Sequence, residues 1–339
     1  MKTSRLMTAM LILCGGAYGV QAHAQQPDED NHQLTDEKGT WSLVVENDYF
    51  GDSDDNYTNG LRLSWMSGSK PMDPVSRFAT NLMRGDDAVV VRRGLAIGQS
   101  VFTPNDLQTT EYLPDQRPYA AWLYGEFTNV VERSNTIDQL TIQLGVVGPS
   151  AGGEWAQEEI HNLIEDEAPQ GWDNQIKDEV GVVISYDKKM RALAKLGETD
   201  FGIDITPNLG VTLGNIYTNA RAGLTVRIGQ DLKNDYGPPR VRPSLAGSGY
   251  FAPDDGFSWY IFGGVEGRAV AHDIFLEGSL FRTDDPSVVA KDFVADLQAG
   301  LVLQFGQTQI GLTYIERTEE YETQDIPQRF GAVSLSRKF

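Results

Sequence analysis

Six residues of this chain have types and spacings that could do hydrolytic chemistry together. Asn47 and Asp48 stand side by side at the end of an alternating segment, and Thr58 follows in "DDNYTNG" (54–60). Arg117 lies in "DQRPYAAW", and Gln157 and His161 stand four apart in "SAGGEWAQEEIHNLI" (150–164), a spacing that puts both on one helix face. Amide and carboxylate oxygens are hard ligands that suit Ca2+ better than Zn2+, which prefers imidazole or thiolate. Thr adds a hydroxyl, Arg a cation for an anionic group, and His an imidazole able to take a proton near neutral pH. Each has a plainer reading beside this one. Turn formers fill any loop of such composition, an Arg before Pro is often a surface cation, and a lone helical His is often packed or solvated. Gln157 could orient an imidazole only if both face one cleft.

The elements that must position them read as strands. From Trp41 onward the pattern has period two: "WSLVVENDYF" (41–50), "YTNGLRLSWMSG" (57–68), "GLAIGQSVF" (94–102), "YAAWLYGEFTNVV" (119–131) and "TIDQLTIQLGVV" (136–147). Further strands are expected at 178–189, 200–213, 217–229, 257–270, 273–283, 292–306, 308–317 and 329–339. A sandwich and an outer-membrane barrel both alternate, but the segments are long for a sandwich, and Glu266, Arg268 and Glu277 suit a polar lumen. The fold class expected is all-β, a transmembrane antiparallel β-barrel with one short helix in an extracellular loop. A single-chain barrel of this kind has an even strand number, so twelve are expected, and 199–232 is the least secure stretch because Pro207 interrupts it. With the first strand rising, the connections 49–57, 103–118 and 148–178 share the outer side. The helix in the last of these places Trp155, Ile160, Leu163 and Ile164 at roughly helical spacing.

Three domains of the chain follow: a signal peptide over 1–24, a flexible lead-in over 25–39 and the barrel over 40–339. Lys2 and Arg5 precede an apolar run, and Ala22-His23-Ala24 is a small-x-small site. The one cysteine, Cys14, lies in that segment, which excludes disulfides, thiol nucleophiles and thiolate metal sites from the mature chain. Loss of Lys2 and Arg5 takes the formal net charge from −20 to −22, against nucleic acid as a partner and in favour of cations. The final residue, Phe339, resembles the C-terminal signal by which bacterial outer-membrane proteins meet their assembly machinery. Arg337 departs from that signal, because it falls on the Phe339 face.

In order along the chain, "ENDYF", "NYTNG", "QRPYAAW", "GPSAGGEWAQEEIH", "PQGWDNQIKDE" and "LGNIYTNARAG" resemble the LpxR type of lipid A deacylase, from about Glu46 to the C-terminus. The resemblance implies a twelve-stranded barrel in the bacterial outer membrane, with its site facing the outer leaflet. It implies removal of the 3′-linked acyloxyacyl group from lipid A of lipopolysaccharide, with Ca2+ required. It makes His161 the general base, oriented by Gln157, and puts Thr58 in the site. Asn47 and Asp48 become metal ligands, with Glu167, six past the histidine, as a third. Arg117 then pairs with a glucosamine phosphate. A Ser-His-Asp hydrolase is not expected, because no G-x-S-x-G occurs and Ser150 lies in a turn. Two alternatives stay open: a non-catalytic barrel, either a pore or a lipopolysaccharide-binding protein, and an outer-membrane phospholipase.

Overall fold

The computed structural model describes residues 37–48, 56–69, 90–133, 135–164, 167–195, 201–241, 247, 249–253 and 256–339. The segment 1–24 expected as a signal peptide and nearly all of the expected lead-in 25–39 lie outside them. Strands β1 (Thr40–Asn47), β2 (Asn56–Met66), β3 (Val90–Thr103), β4 (Ala120–Glu132) and β5 (Thr136–Val147) lead into helix α1 (Gly153–Ile164). Then come β6 (Glu179–Met190), β7 (Phe201–Gly214), β8 (Tyr217–Gln230), β9 (Phe257–Asp273), the one-turn helix α2 (Ile274–Glu277), β10 (Phe293–Phe305), β11 (Thr308–Arg317) and β12 (Gln328–Lys338). Consecutive strands pair antiparallel. β1 also pairs with β12, from Thr40↔Lys338 to Asn47↔Gly331, so the ladder closes and leaves no backbone edge to lipid.

β6 resumes after Arg191 as Ala192–Lys195, and both pieces pair with β7 in one register, Lys189↔Asn208 and Ala192↔Ile205. They are one strand, and the barrel has twelve. The lapse has a local cause: Pro207, which has no N–H to give, stands in that register opposite the Met190–Arg191 step. The Arg191 N–H donates instead to the Asn135 carbonyl, at 2.8 Å. Pro207 therefore bends a strand without costing one.

The surplus strand was expected at 273–283, and there the chain forms α2 and a loop. The Asp273 carboxylate accepts from the Phe275 N–H at 3.0 Å and caps the turn. Ile274, Phe275 and Leu276 are all buried, which no alternating strand allows. Phe275 stacks on Phe102 at 4.2 Å and closes the aromatic layer at the rim. Glu277 thus belongs to this turn, whereas Glu266 and Arg268 are buried in the lumen as the pattern implied.

Burial runs inside out along every strand. Leu43, Leu61, Leu63, Leu95, Ile97, Leu144, Val182, Leu213, Val265 and Leu297 are exposed on the outer face, while the residues between them carry buried charge. Arg62 meets Glu126 at 2.6 Å, Arg92 meets Glu132 at 2.7 Å, Arg221 meets Asp187 at 2.5 Å, and Asp296 takes both Arg268 and Arg317. Such charges tolerate burial only when paired, so the lumen is a mutually dependent network. An apolar outside and an ionic inside are what a bilayer demands of a barrel. No helix among the described residues is long and apolar enough to cross a membrane; the strands do that. At the C-terminus, Arg337 does share the outer face with exposed Phe339, its guanidinium 5.7 Å from the ring centre.

The connection between β8 and β9 does not stay at the barrel's end but rises inside it. Asp235 binds Arg227, Tyr260 and Gln309 near the base, Pro238 lies against Gly311, and Arg240 reaches Glu46 at the far end of β1. The described part of this segment thus lies within the lumen. In planar bilayers the protein is expected to show no steady ion conductance; reproducible open-channel steps would favour the pore.

Candidate active site

Of the expected site residues, Asn47 and Thr58 lie on the outside of the wall near the rim at the end of β1, Gln157 and His161 lie on the helix packed against β3 and β4, and Arg117 lies inside. Asn47 lies on the outer face of β1 by alternation with Trp41 and Leu43. In β2 the register against β3 shifts between Tyr57 and Asn59, and this bulge turns Thr58 out of the lumen series. The Thr58 hydroxyl hydrogen-bonds the Thr103 hydroxyl at 2.7 Å, and Thr103 belongs to the outward series of Leu95 and Ile97. The Asn47 amide N–H donates to the Thr58 carbonyl at 2.8 Å, which leaves its own carbonyl oxygen directed away from that bond. Asp48 follows directly and is 1% exposed.

Polar groups on a barrel's lipid face are costly, and α1 covers this region. Gly148, Pro149 and Gly152 turn the chain, and the Ser150 N–H and hydroxyl both donate to Asp178, at 2.8 and 2.7 Å. Ser150 is thereby a loop fastener. α1 then packs on β3 and β4, with Gln99 on the outer face donating to the Ala151 carbonyl at 2.7 Å. Its buried stripe is Gly153, Gln157 and His161, each four apart, while Trp155 is 67% exposed. The helix turns this stripe to the wall and Trp155 to the surroundings. The side chains of Leu163 and Ile164 are not among those described.

Two neighbours orient the stripe. The imidazole Nδ1 of His161 lies 2.7 Å from the Glu167 backbone carbonyl, which can only accept, so Nδ1 carries a proton and, in the neutral ring, Nε2 is the nitrogen with the lone pair. The Trp172 indole N–H donates to the Gln157 Oε1 at 2.9 Å, which fixes the amide and directs its NH2 the other way. That buried NH2 meets no acceptor among the described residues. A donor so placed costs about 1–3 kcal/mol unless a ligand or water completes it. Glu167 therefore reaches the site through its main chain, its side chain being exposed.

Arg117 lies on the other side of the wall. Its guanidinium is 1% exposed, sits over the luminal Phe102 ring at 5.2 Å and binds Glu320 at 2.5 Å. Burial pushes the Glu320 carboxyl up, but Arg117 and Arg317 more than offset this and hold it below the usual carboxylate range. The pair therefore stabilises the fold above the ordinary Glu pKa of about 4.3 and loses that contribution as pH falls through the depressed folded value. Arg117, expected to meet a lipid phosphate at the rim, is instead bound to Glu320 between the β3–β4 and β11–β12 connections.

Trp172, Gly153, Thr103 and the Glu167 carbonyl were not singled out from sequence. Thr103 closes the outward series of β3, in which Leu95 and Ile97 are exposed while Gln99 and Val101 lie beneath the 148–178 connection. For a metal, the donors are all oxygen: the Asn47 amide, the Asp48 carboxylate and the Thr58 hydroxyl and carbonyl. That chemistry fits a hard cation such as Ca2+. No group of three or more His, Cys, Asp or Glu side chains occurs among the described residues, so a zinc-type cage is not formed by them.

Fold and site together define an outer-membrane barrel with polar groups on the outer face of its wall and a helix packed on β3 and β4. The chain belongs to the LpxR family: residues 6–339 match the family described as outer membrane protein LpxR. Among solved structures, LpxR from Salmonella typhimurium aligns with a TM-score of 0.72 at 20% identity, covering 88% of this chain and 100% of that one. The β domain of the Bordetella autotransporter BrkA aligns at 0.46 and 9% identity, covering 90% of this chain and 100% of that one. No curated protein sequence matches the chain.

A side chain at Gly153 tests the helix's seat, since its Cβ would stand 2.5 Å from the Ala121 Cβ and 2.7 Å from the Trp172 ring. Gly153→Val is expected to lift α1, so that added protease cuts within 148–178 while the barrel still migrates as a folded, heat-modifiable band. Unchanged protection of 148–178 would show that α1 is not held there.

Proposed function

We propose that this protein is a lipid A deacylase of the outer membrane, hydrolysing the ester of the 3′-linked acyloxyacyl group on the outer-leaflet side, with Ca2+ bound. The observation that carries the reading is His161. Its proton is held on Nδ1 by the Glu167 carbonyl, its Nε2 is free to accept, and it lies in the stripe that α1 turns to the outer wall.

An ester carbonyl of a lipid alongside the wall would enter between α1 and the Asn47–Thr58 edge. His161 Nε2 takes a proton from water as the water oxygen bonds to the carbonyl carbon. The ester C–O bond then breaks, and the imidazolium returns the proton to the departing sugar oxygen. The products are a free fatty acid and a glucosamine hydroxyl. The Gln157 NH2, held by Trp172, is a preoriented donor for the carbonyl oxygen as it gains charge. Asn47, Asp48 and Thr58 would hold Ca2+, which would supply positive charge to stabilise a developing oxyanion. Thr103 keeps the Thr58 hydroxyl turned toward this side. Arg117 holds the rim closed through Glu320, and would meet a glucosamine phosphate only by exchanging that partner.

Expression in a host lacking the activity is expected to lower the lipid A mass by one acyloxyacyl group. His161→Ala is expected to fold normally and lose the activity by about 100-fold or more. Unchanged lipid A mass with the wild-type protein would reject the reading, and phospholipid cleavage in its place would favour a phospholipase.

Metal dependence is the second test. A calcium chelator is expected to stop acyl release reversibly, with Ca2+ restoring it and Zn2+ failing to, as an all-oxygen donor set requires. Full activity in chelator would remove the metal from the account.

A further inference from the structure

The luminal segment touches the back of this site. Thr40, at the base of β1, pairs with Lys338, and Glu46 is six residues higher, about 20 Å along the strand. The segment that starts at Asp231 nevertheless reaches Glu46. Arg240 Nε donates to Glu46 Oε1 at 2.6 Å, the Val241 N–H donates to the same oxygen at 3.0 Å, and Arg240 Nη1 donates to Gln298 at 3.1 Å. The chain then returns: the Gly247 N–H donates to the Pro238 carbonyl at 2.7 Å, and Tyr250 lies back near the base beneath Arg92 and Lys338, at 3.5 and 4.0 Å. Among the described residues, both limbs of this segment enter from the end that carries Thr40 and Lys338, and Arg240 and Val241 lie at Glu46.

What Arg240 and Val241 hold is informative. Glu46 Oε2 accepts from the Tyr57 hydroxyl at 3.1 Å. Glu46 and Tyr57 face the lumen, and the next residue of each, Asn47 and Thr58, belongs to the outer side, where the two are themselves hydrogen-bonded. Gly60 makes room for the arrangement: a Cβ there would stand 2.0 Å from the Tyr57 hydroxyl and 3.2 Å from Val241. One buried carboxylate thus receives three donors, two of them from this segment, directly behind the two strand ends that carry site oxygens.

We propose that Arg240 is a positioning residue for the deacylation site, fixing from inside the barrel, through Glu46 and Tyr57, the strand ends that present Asn47 and Thr58 outside. This rests on the proposed function. A buried carboxylate stripped of its cation must recover solvent or a new partner, and the backbone that carries it is the backbone of Asn47. Partners one shell behind metal ligands commonly matter by about 10–100-fold in affinity or activity.

The test uses the full chain refolded in lipid A-containing vesicles. Arg240→Ala leaves the Glu46 charge unpaired and endangers folding, so the decisive variants are Arg240→Lys and the charge-neutral pair Arg240→Met with Glu46→Gln. Three quantities are read: the folded band on unheated gels, hydrogen exchange at 44–48 and 57–60, and calcium binding by calorimetry alongside acyl release. The double variant is expected to fold, to exchange faster at those amides and to bind calcium about tenfold more weakly, with Arg240→Lys close to wild type. Wild-type exchange and wild-type calcium affinity in a folded double variant would overturn the proposal. If the wild type itself releases no acyl chain, the deacylase reading fails, and the exchange comparison alone decides whether Arg240 sets these strand ends.

Discussion

A polar side chain on the outer face of a membrane barrel must be covered, and the site depends on how this chain meets that demand. Asn47, Thr58, Gln99 and Thr103 interrupt the apolar outer series at the upper ends of β1 to β3. The chain does not replace them with leucine; it lays α1 against that side of the wall. The buried stripe of α1 meets Ala121 and Trp172 through Gly153, the Trp172 indole N–H through Gln157 and the Glu167 carbonyl through His161. Gly153 lets the helix approach Ala121 and Trp172, and Trp172 in turn orients Gln157. The helix turns the His161 imidazole and the Gln157 amide to the wall, and the Asn47 and Thr58 oxygens belong to the outer side of that same wall. Exposed Trp155 suits the membrane-water boundary, where an indole places its apolar ring in lipid and its N–H in water.

The inside of the barrel obeys the complementary rule. Charges there are buried without lipid or bulk water, so each needs a partner, and Arg62–Glu126, Arg221–Asp187 and the Arg268–Asp296–Arg317 group supply them. The segment from the β8–β9 connection extends that network upward, because Asp235 anchors its base and Glu46 receives Arg240. A wall one residue thick then separates an ionic support inside from the site oxygens outside. Period two makes the coupling direct: whatever fixes Glu46 and Tyr57 also fixes the neighbours that point the other way.

The barrel was legible in the sequence because long alternation, luminal charge and the terminal phenylalanine all survive without any knowledge of contacts. Pro207 misled only about where the count was uncertain; it lies in a true strand, and the false one was 273–283, where three adjacent apolar residues should have spoken against alternation. The pairing of Gln157 with His161 was visible as helical spacing. Which face of α1 is buried was not, since that is set by Ala121, Trp172 and the Glu167 carbonyl, which the helix meets only in the fold. Arg117 read as a rim cation because its partner, Glu320, lies about two hundred residues away in sequence. The roles of Trp172 and the Glu167 carbonyl are likewise tertiary: neither residue type nor spacing announces them. The luminal segment was invisible for the same reason, since a segment rich in Gly and Pro reads as a loop wherever it goes.

The central claim is that the chemistry belongs to the outer face of the wall beneath α1 and not to the lumen. A structure of the protein with Ca2+ and a non-hydrolysable lipid A analogue tests it most directly. The account predicts the ester mimic between α1 and the Asn47–Thr58 edge, within hydrogen-bond reach of the Gln157 NH2 and one water from His161 Nε2. A head group seated at Arg117 and Glu320 inside the rim, with α1 untouched, would contradict it.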